Sequence, residues 1–66
     1  MDGRRRADIT PGIRVQIVQK PDQRSGTLTE GIVGEILTRS PTHPHGIEVR
    51  LIGGVIGRVK AIPQKP

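Results

Sequence analysis

The residues best suited to chemistry in this chain are its cations. Eleven Lys and Arg stand against six Asp and Glu, giving a net charge of +5 at pH 7. Arg4, Arg5 and Arg6 are consecutive, and the others are spread along the chain. Guanidinium and ammonium groups neutralise phosphates, and a strongly basic small domain is typical of nucleic-acid binding proteins. Phosphate binding therefore depends on whether the fold brings these charges together.

Nucleophilic catalysis is not indicated by the remaining polar residues. Ser40 and His43 lie in the same loop, but no carboxylate nearby would orient the imidazole. A loop that cradles phosphate would need a glycine-rich turn that leads into a helix, and no helical pattern follows any such turn. We therefore expect a protein that is not an enzyme.

A metal site is not predicted either. His43 and His45 are the two histidines of the chain, and cysteine is absent. Structural and catalytic zinc sites use three or four ligands at characteristic spacings, and two imidazoles do not complete such a set. The sequence thus predicts no metal and no cofactor.

The hydropathy pattern argues against a membrane or secreted protein. Residues 1–11 lack the apolar stretch of a secretory signal peptide. No run approaches the ~18 apolar residues that a spanning helix needs. Because the absence of cysteine also fits a reducing compartment, we expect a soluble cytoplasmic protein.

Residue spacing predicts strands rather than helices. Nine Ile, six Val and three Leu must supply the core, since Phe, Tyr and Trp are absent. Apolar and polar residues alternate over 13–18 and 47–51, which is the period of a strand with one buried face, and a further strand is predicted over 55–60. Two glycines within 30–38 predict a strand with a bulge or a sharp bend. Gly53-Gly54 predicts a tight two-residue hairpin.

Four short strands with bends at glycines predict an all-β fold. Since closure protects strand edges, we expect a small SH3-like barrel of four to five antiparallel strands. The predicted organisation is a flexible basic arm at residues 1–9, the barrel at 10–62 and a tail at 63–66.

In such a meander, the start of the first strand, the loop 39–46 and the end of the fourth strand lie at one end of the barrel. This end would gather cationic and imidazole side chains against Asp2 and Asp8 alone; the members are Arg4, Arg5, Arg6, Arg39, Lys60, Lys65, His43 and His45. The predicted nucleic-acid contacts are Arg4, Arg5, Arg6, Arg39 and Lys60. Arg24, in the loop at the opposite end, is a candidate second contact. A disordered arm and scattered lysines that only maintain solubility remain an open alternative.

The absence of aromatic side chains restricts how nucleic acid would be held. Binders of single strands stack bases on Phe, Tyr or Trp, so contact with the backbone of structured RNA, a ribonucleoprotein or DNA is the expected mode. The alternative function is a protein-interaction module. It would use an exposed strand edge and the outward apolar residues Val18, Ile52 and Ile56.

Two loop signatures carry a resemblance to a known family. Asp22-Gln23-Arg24-Ser25-Gly26 with residues 28–33, and then residues 40–47 with Ile56-Gly57-Arg58-Val59, resemble the YwbE-like family over nearly the whole chain. That family consists of small uncharacterised proteins, so the resemblance implies a fold and a cytoplasmic setting without an activity. Pro11-Gly12-Ile13-Arg14-Val15 and Gly31-Ile32-Val33 are also similar to KOW and related SH3-like modules of ribosomal and transcription proteins. Likeness of fold alone does not imply function.

Overall fold

A computed structural model describes residues 3–19 and 25–63 of the chain. A short 3-10 helix at Arg6–Asp8 precedes four strands, which are β1 at Arg14–Gln19, β2 at Thr29–Ile36, β3 at Glu48–Leu51 and β4 at Ile56–Ala61. All strand pairs are antiparallel. Within this part of the chain, no helix is long and apolar enough to cross a membrane. The predicted all-β fold and small barrel are confirmed, with four strands.

The barrel closes through a contact between its first and last strands. The strand order is β1-β2-β3-β4, and β4 pairs back onto β1 with Ile17 opposite Val59 and Val18 opposite Arg58. Each described strand therefore has a hydrogen-bonded neighbour on both sides. The free strand edge required by the protein-interaction alternative is absent from these four strands, because closure pairs the edges with each other.

The core is entirely aliphatic. Its buried side chains come from alternate positions of the strands and from the segments that flank them; they are Ile9, Val15, Ile17, Val33, Ile47, Val49, Leu51, Val59 and Ile62. Branched aliphatic side chains favour strands because their few χ1 rotamers suit a pleated surface. A core of this kind is thin, so small losses of packing cost a large part of the stability.

Two bulges adjust the register of the closed sheet. In β2 the register with β3 shifts between Val33 and Glu35, which makes Gly34 the extra residue. In β4 the partners of Gln16 and Ile17 are Ala61 and Val59, so Lys60 is the extra residue there. The bulge predicted for the second strand is confirmed. Bulges bend a strand and redirect a side chain, and the second one acts on a predicted site residue.

The hairpin between β3 and β4 differs from the predicted two-residue turn. The Leu51 N–H donates to the Val55 carbonyl at 2.7 Å, and the Gly54 N–H donates to the Leu51 carbonyl at 2.8 Å. This closes a three-residue loop, 52–54, in which Gly54 alone has positive φ at +95°. The prediction was wrong by one residue because a glycine pair also fits a three-residue loop with glycine at its last position.

The outward apolar residues separate into two environments. Ile52, in the loop 52–54, and Ile56, at the start of β4, are 73% and 42% exposed, so both face outward as predicted. Val18 is only 6% exposed, although it lies outside the core cluster and opposite the outward-facing Arg58. The prediction of an exposed Val18 was wrong, because alternation gives the side of the sheet and not what covers that side.

The described part of the predicted arm, residues 3–9, packs against the barrel. Ile9 is 2% exposed and belongs to the core cluster. Gly3 is buried with φ at +77°, and a Cβ there would lie 2.3 Å from Val59 Cγ1. The boundary between arm and barrel, between residues 9 and 10, stays a prediction. By its packing, Ile9 is part of the barrel core.

Replacing Ile9 by Ala tests whether the N-terminal segment stabilises the barrel. We expect the free energy of unfolding to fall by about 2–5 kcal/mol, the usual cost of truncating a buried Ile. Ile52→Ala is the control and should change stability by less than about 0.5 kcal/mol, since its side chain is mostly exposed. Chemical denaturation measures both, and equal stability of the two variants would contradict the packing described.

Candidate nucleic-acid interface

The N-terminal segment is fixed to the loop between β2 and β3. The Arg6 N–H donates to the Pro41 carbonyl at 2.7 Å, and the His43 N–H donates to the Arg4 carbonyl at 2.9 Å. Between them, Arg5 and Thr42 form an antiparallel bridge. Because the bonds run between backbones, they position the three consecutive arginines without using their charged groups.

These contacts create a groove lined by cations at the end of the barrel. We call it the end groove; it has a volume of about 390 Å³ and is lined by Arg5, Arg6, Ala7, Arg39, Pro41 and Thr42. The Arg6 Nε donates to the Thr38 carbonyl at 3.0 Å, which fixes one of the guanidinium groups. Arg5, Arg6 and Arg39 are all exposed. The groove therefore presents three guanidinium groups to solvent from two parts of the chain far apart in sequence.

Two cations of β4 lie along a different groove, on the side of the barrel. The Lys60 Nζ donates to the His45 carbonyl at 2.8 Å, and an Arg58 Nη donates to the Gly46 carbonyl at 3.1 Å. Together with Val18, Gly26 and His45, they line what we call the side groove, with a volume of about 480 Å³. The end and side grooves thus flank the same loop, 39–46.

Two of the three glutamates in the described strands, Glu30 and Glu35, are paired with arginines outside the grooves, whereas Glu48 lies opposite Arg58 in the sheet register. Arg14 Nε lies 4.0 Å from a Glu30 carboxylate oxygen, and Arg50 forms an ion pair with Glu35. In residues 3–19 and 25–63, no cation of either groove forms an ion pair with an acid. The charge of the grooves is therefore compensated less than that of the neighbouring strands.

His43 lies beside these cations and takes a defined tautomer. The His45 N–H donates to His43 Nδ1 at 3.1 Å, so Nδ1 carries no proton, and an Arg58 Nη lies 3.4 Å from the same atom. Partial desolvation lowers the pKa of His43, and the positive charges of Arg58, His45 and Lys60 lower it further, while Glu48 opposes them. These effects together favour the neutral form of His43. Among the described residues, no group of three His, Cys, Asp or Glu side chains is placed to hold a metal ion.

The predicted site residues divide between the two grooves. Arg5, Arg6 and Arg39 come together in the end groove, and Arg4 lies next to them in the same hydrogen-bonded segment. Lys60 lies in the side groove instead. The residues that we expected to contribute as well, Arg24 and Lys65, fall outside the described residues.

Sequence reasoning missed Arg58, which lines the side groove. The alternation of β4 places Arg58 outward with Ile56 and Lys60. The sequence therefore indicated an outward Arg58, but the predicted site included only Lys60 from this strand. The loop between β1 and β2 was predicted to lie at the end of the barrel opposite the loop 39–46. Gly26 of that loop nevertheless lines the side groove with His45 and Lys60.

The titration of His43 tests the geometry around its ring. A His with a lowered folded pKa stabilises the fold fully above its unfolded pKa of about 6.5, and that contribution is lost as pH falls toward the folded pKa. We expect the NMR titration of the His43 ring proton to have its midpoint below about 6.5 and to move upward in Arg58→Gln, which removes one positive neighbour. A midpoint that does not move in this variant would contradict the contact.

Gly46 is the position where the loop is most sensitive to substitution. Its φ is +102°, and a Cβ would lie 2.2 Å from the Val59 carbonyl oxygen. We expect Gly46→Ala to lower the free energy of unfolding by at least about 1–3 kcal/mol, the cost of a strained backbone conformation. In Gly53→Ala, the matched control, the new Cβ meets nothing within 4 Å. Equal denaturation midpoints for the two variants would show that the close approach is absent.

Similarity to known proteins extends over nearly the whole chain. The family model described as "Uncharacterized conserved protein (DUF2196)" matches residues 2–62. A protein of Bacillus subtilis (strain 168), described as "Uncharacterized protein YwbE", is 53% identical over 62 residues, which cover 94% of this chain and 95% of that protein. No solved structure matches the chain. The resemblance carried by the loop signatures is confirmed, and the chain belongs to the DUF2196 family of uncharacterized conserved proteins.

Proposed function

We propose that this chain is a binding module without enzymatic activity that contacts the phosphate backbone of structured RNA, free or in a ribonucleoprotein, or of DNA. The contact surface is the end groove together with Arg4 and Lys60. The proposal includes a cytoplasmic setting, which the family resemblance implies.

The observation that carries the proposal is the fixed position of the arginines. Backbone hydrogen bonds hold Arg5 and Arg6 beside Arg39, and among residues 3–19 and 25–63 none of the three forms an ion pair. Because their backbone is already fixed, these arginines lose less conformational entropy when they bind than arginines on a flexible arm would. Each phosphate neutralised also releases counterions from the nucleic acid, which favours binding at low salt.

The composition supports contact with backbone rather than with bases. Phe, Tyr and Trp are absent, so base stacking of the kind used by single-strand binders has little basis. Exposed arginines on a rigid barrel suit recognition of helix shape through phosphates, which is how much double-stranded RNA is bound. We therefore expect a preference for duplex or hairpin over unstructured strands.

Protein interaction is the competing function. Its remaining support is the pair Ile52 and Ile56, since the strand edges are used in closing the barrel. Isolated exposed Ile residues are common on protein surfaces and do not by themselves indicate an interface.

Salt-dependent binding of an RNA hairpin and a DNA duplex tests the proposal. We expect affinity to fall steeply between about 50 and 200 mM salt. The variant Arg5→Gln/Arg39→Gln should weaken binding to every sequence and reduce the salt slope by about 1 for each phosphate that is no longer neutralised. Neither side chain makes a hydrogen bond within the described residues, so the fold should be retained.

Arg14→Gln/Arg50→Gln is the matched control, because it removes the same charge from residues that are already paired with acids. Its effect on affinity should be small. Equal losses in the two double variants would reject the end groove as the contact surface. Binding without a salt slope, or a partner retained from a nuclease-treated extract, would favour a protein-interaction module.

A further inference from the structure

The side groove differs from the end groove in composition and in shape. It shares no lining residue with the end groove, and it combines two cations, Arg58 and Lys60, with the apolar Val18. Its volume of about 480 Å³ lies within the range of small-molecule sites, which are commonly about 300–1,000 Å³. A concave site with a few convergent polar groups is the usual form of such a site.

The two cations are held by the protein and retain free donors. Arg58 and Lys60 are two positions apart on β4 and face the same side of it. They donate to the carbonyls of consecutive residues, Gly46 and His45. A guanidinium has five N–H donors and an ammonium three, so each keeps donors for a ligand after these bonds are made. A fixed guanidinium beside an ammonium suits the tetrahedral oxygens of a phosphate.

The local field of this groove is positive. Beside partial desolvation, the charges of Arg58 and Lys60 lower the pKa of the adjacent His43, and Glu48 only partly opposes them. Neither Arg58 nor Lys60 forms an ion pair with an acid in the part of the chain that the structure describes. A bound anion would therefore relieve repulsion among groups that the fold already holds together.

The floor and rim of the side groove suit an organic group attached to the anion. Val18 lies outside the core cluster and lines the groove, so the 6% of its surface that is exposed adds a small apolar contact beside the cations. Gly26 lies across the groove, and a Cβ there would meet nothing within 4 Å. The exposed imidazole of His45 offers the flat ring on which a nucleobase can stack.

We propose that the side groove binds a phosphate monoester, with Arg58 and Lys60 on the phosphate oxygens and with Val18 and His45 against the organic group. The ligand is either a free small molecule such as a nucleotide or the 5′-phosphate end of a nucleic acid. The proposal shares Lys60 with the contact surface proposed above, but it does not need the end groove, whose lining side chains are different.

Amide chemical shifts measured at constant ionic strength test this site. Adenosine 5′-monophosphate should give saturable shifts at Gly26, His45, Gly46 and Lys60, and adenosine without phosphate should give none of them. Inorganic phosphate should shift the same amides with weaker affinity. Equal affinity for the nucleotide and inorganic phosphate would overturn the monoester assignment, and shifts that do not saturate would overturn the site.

Two substitutions separate binding from folding. Lys60→Gln changes an exposed side chain and should weaken nucleotide binding at least about tenfold, the effect of losing one charged hydrogen bond. Arg58→Gln should weaken it by at least as much, with a retained amide spectrum as evidence that the barrel is intact. Unchanged affinity in Lys60→Gln would overturn the proposal even if Arg58→Gln failed to fold.

Two further experiments complete the test. One identifies the source of the phosphate, and the other distinguishes binding at the side groove from binding at the end groove. Tighter binding of a 5′-phosphorylated oligonucleotide than of the nucleotide would identify a nucleic-acid end, and the reverse order a free nucleotide. The variant Arg5→Gln/Arg39→Gln should bind the nucleotide with wild-type affinity. If it lost nucleotide binding as completely as Lys60→Gln, the shifts would reflect general attraction of anions and the separate site would be rejected.

Discussion

The pairing of β1 with β4 is the contact on which the rest of the structure depends. It places Ile17 against Val59 and completes a core that contains no aromatic side chain. Without this pairing, the four strands would form an open sheet with two unsatisfied edges and one solvated apolar face. The same pairing brings Val18 next to Arg58, so the side groove exists only in the closed barrel.

Val59 transmits this closure to the end of the barrel. Its N–H donates to the Ile47 carbonyl at 2.9 Å, and its carbonyl and side chain lie against Gly46 and Gly3. The loop 39–46 and the N-terminal segment therefore both pack against the same residue of β4. Because glycine lacks a Cβ, two backbones approach the strand more closely than any other residue would allow. The position of the basic surface therefore depends on the core, because both segments that form this surface pack against Val59.

Local sequence patterns were sufficient to predict the strands, but they were insufficient to predict the geometry of the loops that join them. Alternation of apolar residues predicted the first and third strands, where one face is buried, and glycine and turn signals predicted the second and fourth. A bulge or sharp bend in the second strand was also readable from its glycines, although the pattern did not say which of Gly31 and Gly34 would be the extra residue. The length of the β3–β4 loop was not readable, because a glycine pair satisfies more than one turn geometry.

Prediction of the candidate sites was limited in the same way, because these sites depend on contacts between segments distant in sequence. The convergence of Arg5 with Arg39 followed from the order of strands alone, since a meander brings these segments to one end. Burial of Val18 and the packing of Ile9 depend on what covers each residue, which is set by segments distant in sequence. Arg58 was missed for a related reason, because its importance comes from Gly46 and His43 across the groove and not from its neighbours in sequence.

The distribution of charge connects stability to binding in this chain. Arg14 and Arg50 are paired with glutamates on the barrel wall, whereas the cations that line the two grooves form no ion pair with an acid among the described residues. Clustered like charges repel one another and oppose compaction, and a thin aliphatic core leaves little stability to offset them. A ligand that binds only the folded state stabilises it by mass action, and an anion would also remove the repulsion. The surface that weakens the isolated barrel is therefore the surface through which an anionic partner would stabilise it most.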